Sequence, residues 1–220
     1  MIMPARILPP NFYGSSGADI VTAGTSAFND TGIRVDASGV LDTRAGNDVV
    51  IGTASGETGY GIFNVGEIQL GCGNDLLLGA GSFAGLSGGG VFDAGDGNDV
   101  VNGIANSTGF AHNAYGIDGY GRLTGGDGDD LIRGEAYGVV PGNQSGGILW
   151  SGVLTGGNGN DTIIGIGVNQ SGIGAGIRSG YGGSIEGGDG QDLIAGYGTT
   201  TGIGFPSYSL PSGGTTIDGG

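Results

Sequence analysis

The residues with the clearest chemical potential in this chain are aspartates that close short glycine-rich turns. The fullest copy reads Gly125-Gly126-Asp127-Gly128-Asp129-Asp130, followed by Leu131-Ile132. It returns as Gly156-Gly157-Asn158-Gly159-Asn160-Asp161 and as Gly187-Gly188-Asp189-Gly190-Gln191-Asp192. Glycines let backbone carbonyls turn toward one point, and a carboxylate beside several carbonyls suits a hard, oxygen-seeking cation, above all Ca²⁺ with its 6 to 8 oxygen ligands. One turn supplies too few oxygens, so the chemistry requires a second turn stacked on the first.

The last Asp of each turn anchors a repeat. Asp19, Asp48, Asp75, Asp99, Asp130, Asp161 and Asp192 follow one another at steps of 29, 27, 24, 31, 31 and 31 residues. Two residues after each stand Val21, Val50, Leu77, Val101, Ile132, Ile163 and Ile194. Seven residues before each stand Phe12, Leu41, Ile68, Phe92, Leu123, Leu154 and Ile185, a series that continues at Ile217. A third column, further upstream, holds Ile33, Ile62, Leu86, Ile117, Ile148 and Ile177, and most of the length variation falls between the anchor strand and this column.

Columns of this kind at a long period require a solenoid in which each repeat is one coil and equivalent residues stack at roughly 4.8 Å. The expected fold is therefore all-β, a parallel β-solenoid of the β-roll or β-helix kind. It would have about seven stacked coils, a rod on the order of 35 Å long, and almost no helix. Residues 1–11 are a lead-in and 12–220 a single solenoid domain, with Ile217-Asp218-Gly219-Gly220 starting an eighth turn that another copy or a longer array would continue. The residue directly after each anchor is also apolar nearly throughout (Ile20, Val49, Leu76, Val100, Leu131, Thr162, Leu193). Neighbouring strand residues face opposite sides, so one of the two ladders must face outward, either shielded by the long turns or offered as a lateral contact.

Composition narrows the function. Among 220 residues there are 57 Gly, and 6 Lys and Arg stand against 21 Asp and Glu, for a formal charge of −15. That balance argues against nucleic acid and for a cationic partner. The single Cys72 excludes an intramolecular disulfide, and the single His112, in the turn Phe110-Ala111-His112-Asn113, has no second histidine to complete a zinc or catalytic site. Trp150 is read as a packing residue or a local surface aromatic. No apolar run approaches the length of a membrane span. An ice-binding face would want an outward threonine ladder, and these columns hold aliphatics.

At the turns the sequence resembles the repeats-in-toxin family of Ca²⁺-binding nonapeptides, whose pattern is Gly-Gly-x-Gly-x-Asp-x-apolar-x. The match is full at 125–133, 156–164 and 187–195; at 94–102 Ala94 replaces the first Gly, and the turns before Asp75, Asp48 and Asp19 depart further. The resemblance implies that Asp48, Asp75, Asp99, Asp130, Asp161 and Asp192 are side-chain ligands of Ca²⁺. Carbonyls of Gly126, Gly128, Gly157, Gly159, Gly188 and Gly190 would complete the shells, and Asp96, Asp127 and Asp189 would bind directly, through water, or by potential alone. The family's alternation also places the second residue after the anchor inside. Family coils carry two nonapeptides and two ion columns; one nonapeptide per long coil implies one ion column on one edge, filled mainly at the C-terminal end. The expected function is a non-enzymatic, extracellular Ca²⁺-binding repeat protein with a structural or adhesive role, exported by a type I route if a C-terminal signal is present. The alternative is a self-assembling fibre or surface-layer unit, stacking end to end, whose Asn and Asp turns form metal-free ladders.

Overall fold

The computed structural model describes residues 6–7, 11–107, 112–180, 182–204 and 216–218. The sequence expectations for Phe110-Ala111 and Gly219-Gly220 lie outside them. The described chain is all-β, with no helix, and forms three parallel sheets of eight, eight and seven strands. Each coil contributes one strand to each sheet in a fixed order, so every strand inside a sheet pairs with its equivalents one coil before and one coil after, and the end strands pair on one side.

The three apolar columns are the three sheets. In the sheet that precedes the turns, Phe12, Leu41, Ile68, Phe92, Leu123, Leu154, Ile185 and Ile217 are consecutive partners. In the sheet that follows the anchors, here the anchor sheet, Val21 through Ile194 are stacked in the same way. In the third sheet, Ile33 through Ile177 continue to Ile203, and Arg6–Ile7, inside the expected lead-in, already pairs with Ile33 and Arg34. The middle members of all three columns meet in one continuous core of fully buried side chains. The second residue after each anchor does face inward, while the first lies on the outer face, with Ile20 76% and Leu193 54% exposed.

Beyond the aliphatic core, the anchor sheet and the third sheet close on each other, backbone against backbone, through two facing glycine columns. Gly134 meets Gly147 and Gly165 meets Gly176, and the same pairing holds at Gly52 and Gly61, Gly79 and Gly85, and Gly103 and Gly116. A Cβ on Gly165 would collide with the Gly176 carbonyl and come within 2.6 Å of Ile177. These glycines are extended, so they are needed for close approach and not for turn conformation. Past this pinch the coil is filled by small side chains, Ala105, Ala114 and Ala136, which form a separate buried cluster. Each coil is thus wide at the aliphatic end and thin at the alanine end.

Trp150 lies wholly inside. It follows the inward Ile148 by two residues, its ring meets Phe92 edge-on at 6.4 Å, and its indole N–H donates to the Gly121 carbonyl at 3.3 Å. Its strand partner one coil earlier is Gly119, which leaves the space that the indole fills. Cys72 is a free, exposed thiol in a turn. No helix is long and apolar enough to cross a membrane.

Two substitutions test this packing. Gly165→Ala should destabilise the fold by about 2 kcal/mol, because the pinch has no room for a methyl group. Gly17→Ala, where a Cβ meets nothing closer than Ser15 Oγ at 4.0 Å, should be near neutral. Urea unfolding of both variants measures the difference.

Candidate metal centre

The turns stack in register along one edge of the solenoid. Their second and fourth positions have positive φ: 120° and 130° at Gly126 and Gly128, 129° and 139° at Gly157 and Gly159, 118° and 145° at Gly188 and Gly190. Side-chain-bearing residues rarely hold such angles, which is why glycine recurs there. In the degraded turn before Asp48 the second position is Arg44, which still adopts φ of 73°. The turn keeps its shape at the cost of local backbone strain.

Because the second residue after each anchor points inward, the anchor Asp points inward too. Asp48, Asp75, Asp99, Asp130 and Asp161 are buried, and Asp192 is half-buried. Each uses one oxygen in the same way. The backbone N–H of Asp130 donates to Asp161 Oδ1 at 2.8 Å, that of Asp161 to Asp192 Oδ1 at 2.8 Å, and that of Asp99 to Asp130 Oδ1 at 2.8 Å. The same contact joins Asp19 to Asp48 at 2.7 Å, Asp48 to Asp75 at 2.6 Å and Asp75 to Asp99 at 2.7 Å. The other oxygen, Oδ2, is buried without a hydrogen-bond partner at all six positions from Asp48 to Asp192. Asp19 is the exception: its Oδ2 accepts the Ser15 N–H at 2.6 Å.

A second ladder runs in the opposite direction on the outer side of the turn. The N–H of Asn98 donates to Asn74 Oδ1 at 2.9 Å, that of Asp129 to Asn98 at 3.0 Å, that of Asn160 to Asp129 at 2.8 Å and that of Gln191 to Asn160 at 3.1 Å. Each turn is therefore stapled to the following coil by its anchor amide and to the preceding coil by the amide just before it. This outer ladder joins successive turns through backbone amides and Asn or Asp side-chain oxygens.

The corner around Oδ2 differs from coil to coil. A Cβ on Gly125 would collide with Asp130 Oδ2 and lie 2.6 Å from the Gly156 carbonyl oxygen of the next coil. A Cβ on Gly156 would likewise collide with Asp161 Oδ2 and lie 2.5 Å from the Gly187 carbonyl oxygen. Carboxylate and carbonyl oxygens thus converge where these two glycines lack a side chain. In the three coils from Asp48 to Asp99 the residues Thr43, Leu70 and Ala94 stand in this place, all buried, and the Thr43 hydroxyl donates to the Leu70 carbonyl at 2.8 Å. The first coil keeps the open place at Gly14, where a Cβ would collide with Asp19 Oδ2 and the Thr43 carbonyl, but there Oδ2 already accepts the Ser15 N–H. The convergence at Gly125 and Gly156 escapes sequence reading, although loss of the first Gly in the earlier turns is its visible trace.

The remaining expected ligands lie elsewhere. Asp96, Asp127 and Asp189 are exposed on the outside of the turn, where Asn158 Nδ2 donates to Asp127 Oδ1 at 2.6 Å. Their backbone carbonyls are occupied: those of Asp127 and Asp189 accept the N–H groups of Gly97 and Gly159 at 2.7 Å. The carbonyls of Gly126, Gly128, Gly157 and Gly159 point along the stack at the equivalent glycine of the next coil. Gly188 and Gly190 repeat the same backbone turn. Among the described residues no three His, Cys, Asp or Glu side chains come together as a metal-binding group. An ion at this edge would have to combine one anchor carboxylate per coil with backbone carbonyls and water.

Burial dominates the electrostatics. Loss of water pushes the carboxyls of Asp75 and Asp99 up from 3.8 to about 6 and that of Asp130 to about 7, and it raises Asp161 as well. The amide donated to each carboxylate pulls the other way, and neighbouring carboxylates add to the rise. Two ways of satisfying Oδ2 follow: a proton, or a cation that the corner can hold.

His112 is part of no comparable cluster; its ring is half-buried against Phe83 at 5.6 Å. Comparison of the chain with family models, with curated proteins and with solved structures returns no match. The likeness to repeats-in-toxin nonapeptides accordingly rests on the turn residues themselves.

The raised carboxyls fix the pH dependence of the metal-free protein. Between about pH 4 and 7 the folded chain holds more protons than the unfolded one, so the stability supplied by the neutral carboxyls is complete below about pH 4. It is lost as pH rises through about 6 for Asp75 and Asp99 and about 7 for Asp130. Thermal unfolding in chelator should show a falling midpoint over that window, and Asp130→Asn should flatten its upper part.

Proposed function

We propose that the chain is a non-enzymatic, calcium-binding structural repeat protein in which Ca²⁺ bridges successive coils along the turn edge. The observation that carries this reading is the column of buried anchor carboxylates, each with an unpartnered Oδ2. The donors present are oxygens alone, the set that Ca²⁺ prefers. Asp130 with the Gly156 carbonyl, and Asp161 with the Gly187 carbonyl, would hold ions in the two open corners. Asp48, Asp75 and Asp99 share their corners with Thr43, Leu70 and Ala94, which leaves less room. A bound cation would neutralise like charges stacked about 4.8 Å apart and tie adjacent coils together.

The likeness to repeats-in-toxin turns supports the same reading and brings an extracellular setting with it. Sites assembled from one carboxylate per coil and neutral carbonyls fit the weak range of extracellular modules, roughly 10⁻⁴ to 10⁻³ M, which cytosolic Ca²⁺ does not reach. The formal charge of −15 favours cation uptake over contact with acidic partners.

A second reading is favoured by the outer ladder. The paired Asp and Asn contacts join every coil from Asn47 to Gln191 without an ion. With Oδ2 protonated, the rod would be a metal-free structural or fibre-forming unit.

Isothermal calorimetry above pH 7 separates the two readings. Ca²⁺ binding is expected to give heat, to raise the unfolding midpoint, and to weaken as pH falls through about 7, where Asp130 takes a proton. Gly125→Ala, which puts a methyl group against Asp130 Oδ2 and the Gly156 carbonyl where Ala94 stands beside Asp99, should remove one binding event from a chain that still folds, with a lower unfolding midpoint. Absence of heat and of any midpoint shift would favour the metal-free rod.

A further inference from the structure

The outer side of the anchor sheet has a composition unlike the other two. Its outward positions form three parallel ladders across seven strands. One runs from Ile20 to Leu193 through Val49, Leu76, Val100, Leu131 and Thr162; the others include Ile51, Leu78 and Ile164 with Thr22 and Asn102, and Ala80, Ile104 and Ile166 with Thr53. Arg133 and Glu135 are the charged residues on this face, and they pair with each other at 3.0 Å. Tyr137 also donates to Glu135 at 2.7 Å. By contrast, the outer side of the sheet before the turns carries Asp42, Glu67, Asp93, Arg122 and Glu186, and that of the third sheet carries Arg34, Asp118 and Arg178.

We infer that this face is the dimer interface of the protein, its partner being a second copy of the same chain packed sheet against sheet. Three arguments select that occupant. The first is charge: two chains of formal charge −15 repel, and among the described outward positions of this face the one carboxylate, Glu135, is neutralised by Arg133, whereas the sheet before the turns would oppose Asp42, Glu67, Asp93 and Glu186. The second is area. Seven strands of about six residues, at ~4.8 Å between strands and ~3.3 Å along them, give roughly 34 by 20 Å. That is on the order of 700 Å² from each copy, its polar members included, close to the ~800 Å² per partner of stable interfaces. The third is spacing. Side chains repeated at ~4.8 Å interdigitate only with a surface of the same repeat, and a second copy presents that repeat by construction.

Sedimentation equilibrium over a range of concentrations, run once with Ca²⁺ and once with chelator, tests the inference. The wild-type chain should sediment at twice its monomer mass in both. Leu78→Glu and Ile51→Glu, whose strand partners carry no charge, should each weaken the dimer roughly 100-fold or more, since each buries an unpaired charge. Should either charge variant lose its β circular-dichroism signal, Leu78→Thr and Ile51→Thr, which suit a strand, should still weaken it about tenfold. A wild-type chain that stays monomeric at every concentration would overturn the inference. So would a dimer, or an end-to-end polymer, that none of these substitutions affects.

Discussion

The structure depends on the burial of one carboxylate per coil at the end of each turn. The inward direction of Asp130 and its equivalents is not a free choice: two residues later the chain must place Ile132 or its equivalent in the core, and strand alternation sends the Asp to the same side. Half of each carboxylate is well used, because Oδ1 caps an amide of the neighbouring coil that the turn would otherwise leave open. The other half is a buried acceptor with nothing to accept, a costly state unless a proton or a cation joins it. The register of the solenoid and its demand for a positive partner are two consequences of a single side-chain direction.

Glycine, the most abundant residue, has three separate jobs in this fold. At Gly126 and Gly128 it permits positive φ and shapes the turn. At Gly125 and Gly156 it leaves the corner in which carboxylate and carbonyl oxygens converge. At Gly134 and Gly165, in extended strands, it lets two sheets approach until their backbones touch. The first job sets the edge, the second sets what the edge can hold, and the third sets the thickness of the coil. A core so thin buries little surface per coil, which makes the side-chain ladders and any bridging ion count for more.

Much of this was legible in the sequence because a solenoid repeats its register. Val21 to Ile194, Phe12 to Ile217 and Ile33 to Ile177 are spaced as columns, and each proves to be a stacked sheet. The inward residue of the pair after each anchor follows from alternation once the turn is recognised. The glycine pinch was not legible, because Gly134 and Gly126 look alike until the facing strand is known. For Trp150 the sequence allows packing and surface alike, since its space comes from Gly119 on the preceding coil, a tertiary fact. The site was only half legible. The anchor aspartates lie where the pattern puts them, but the carbonyls that converge on Oδ2 belong to Gly156 and Gly187, one coil further on. Single-chain spacing does not say which oxygen of a turn meets its neighbour.

The most direct test of the calcium-bridged edge is a crystal structure grown above pH 7 with Ca²⁺, with anomalous scattering used to locate the ion. Peaks beside Asp130 Oδ2 and Asp161 Oδ2, each shared with the carbonyl of the following coil, are the predicted result. Empty corners at saturating Ca²⁺, with each Oδ2 at hydrogen-bond distance from a carbonyl oxygen, would contradict it and assign the edge to protonated aspartates.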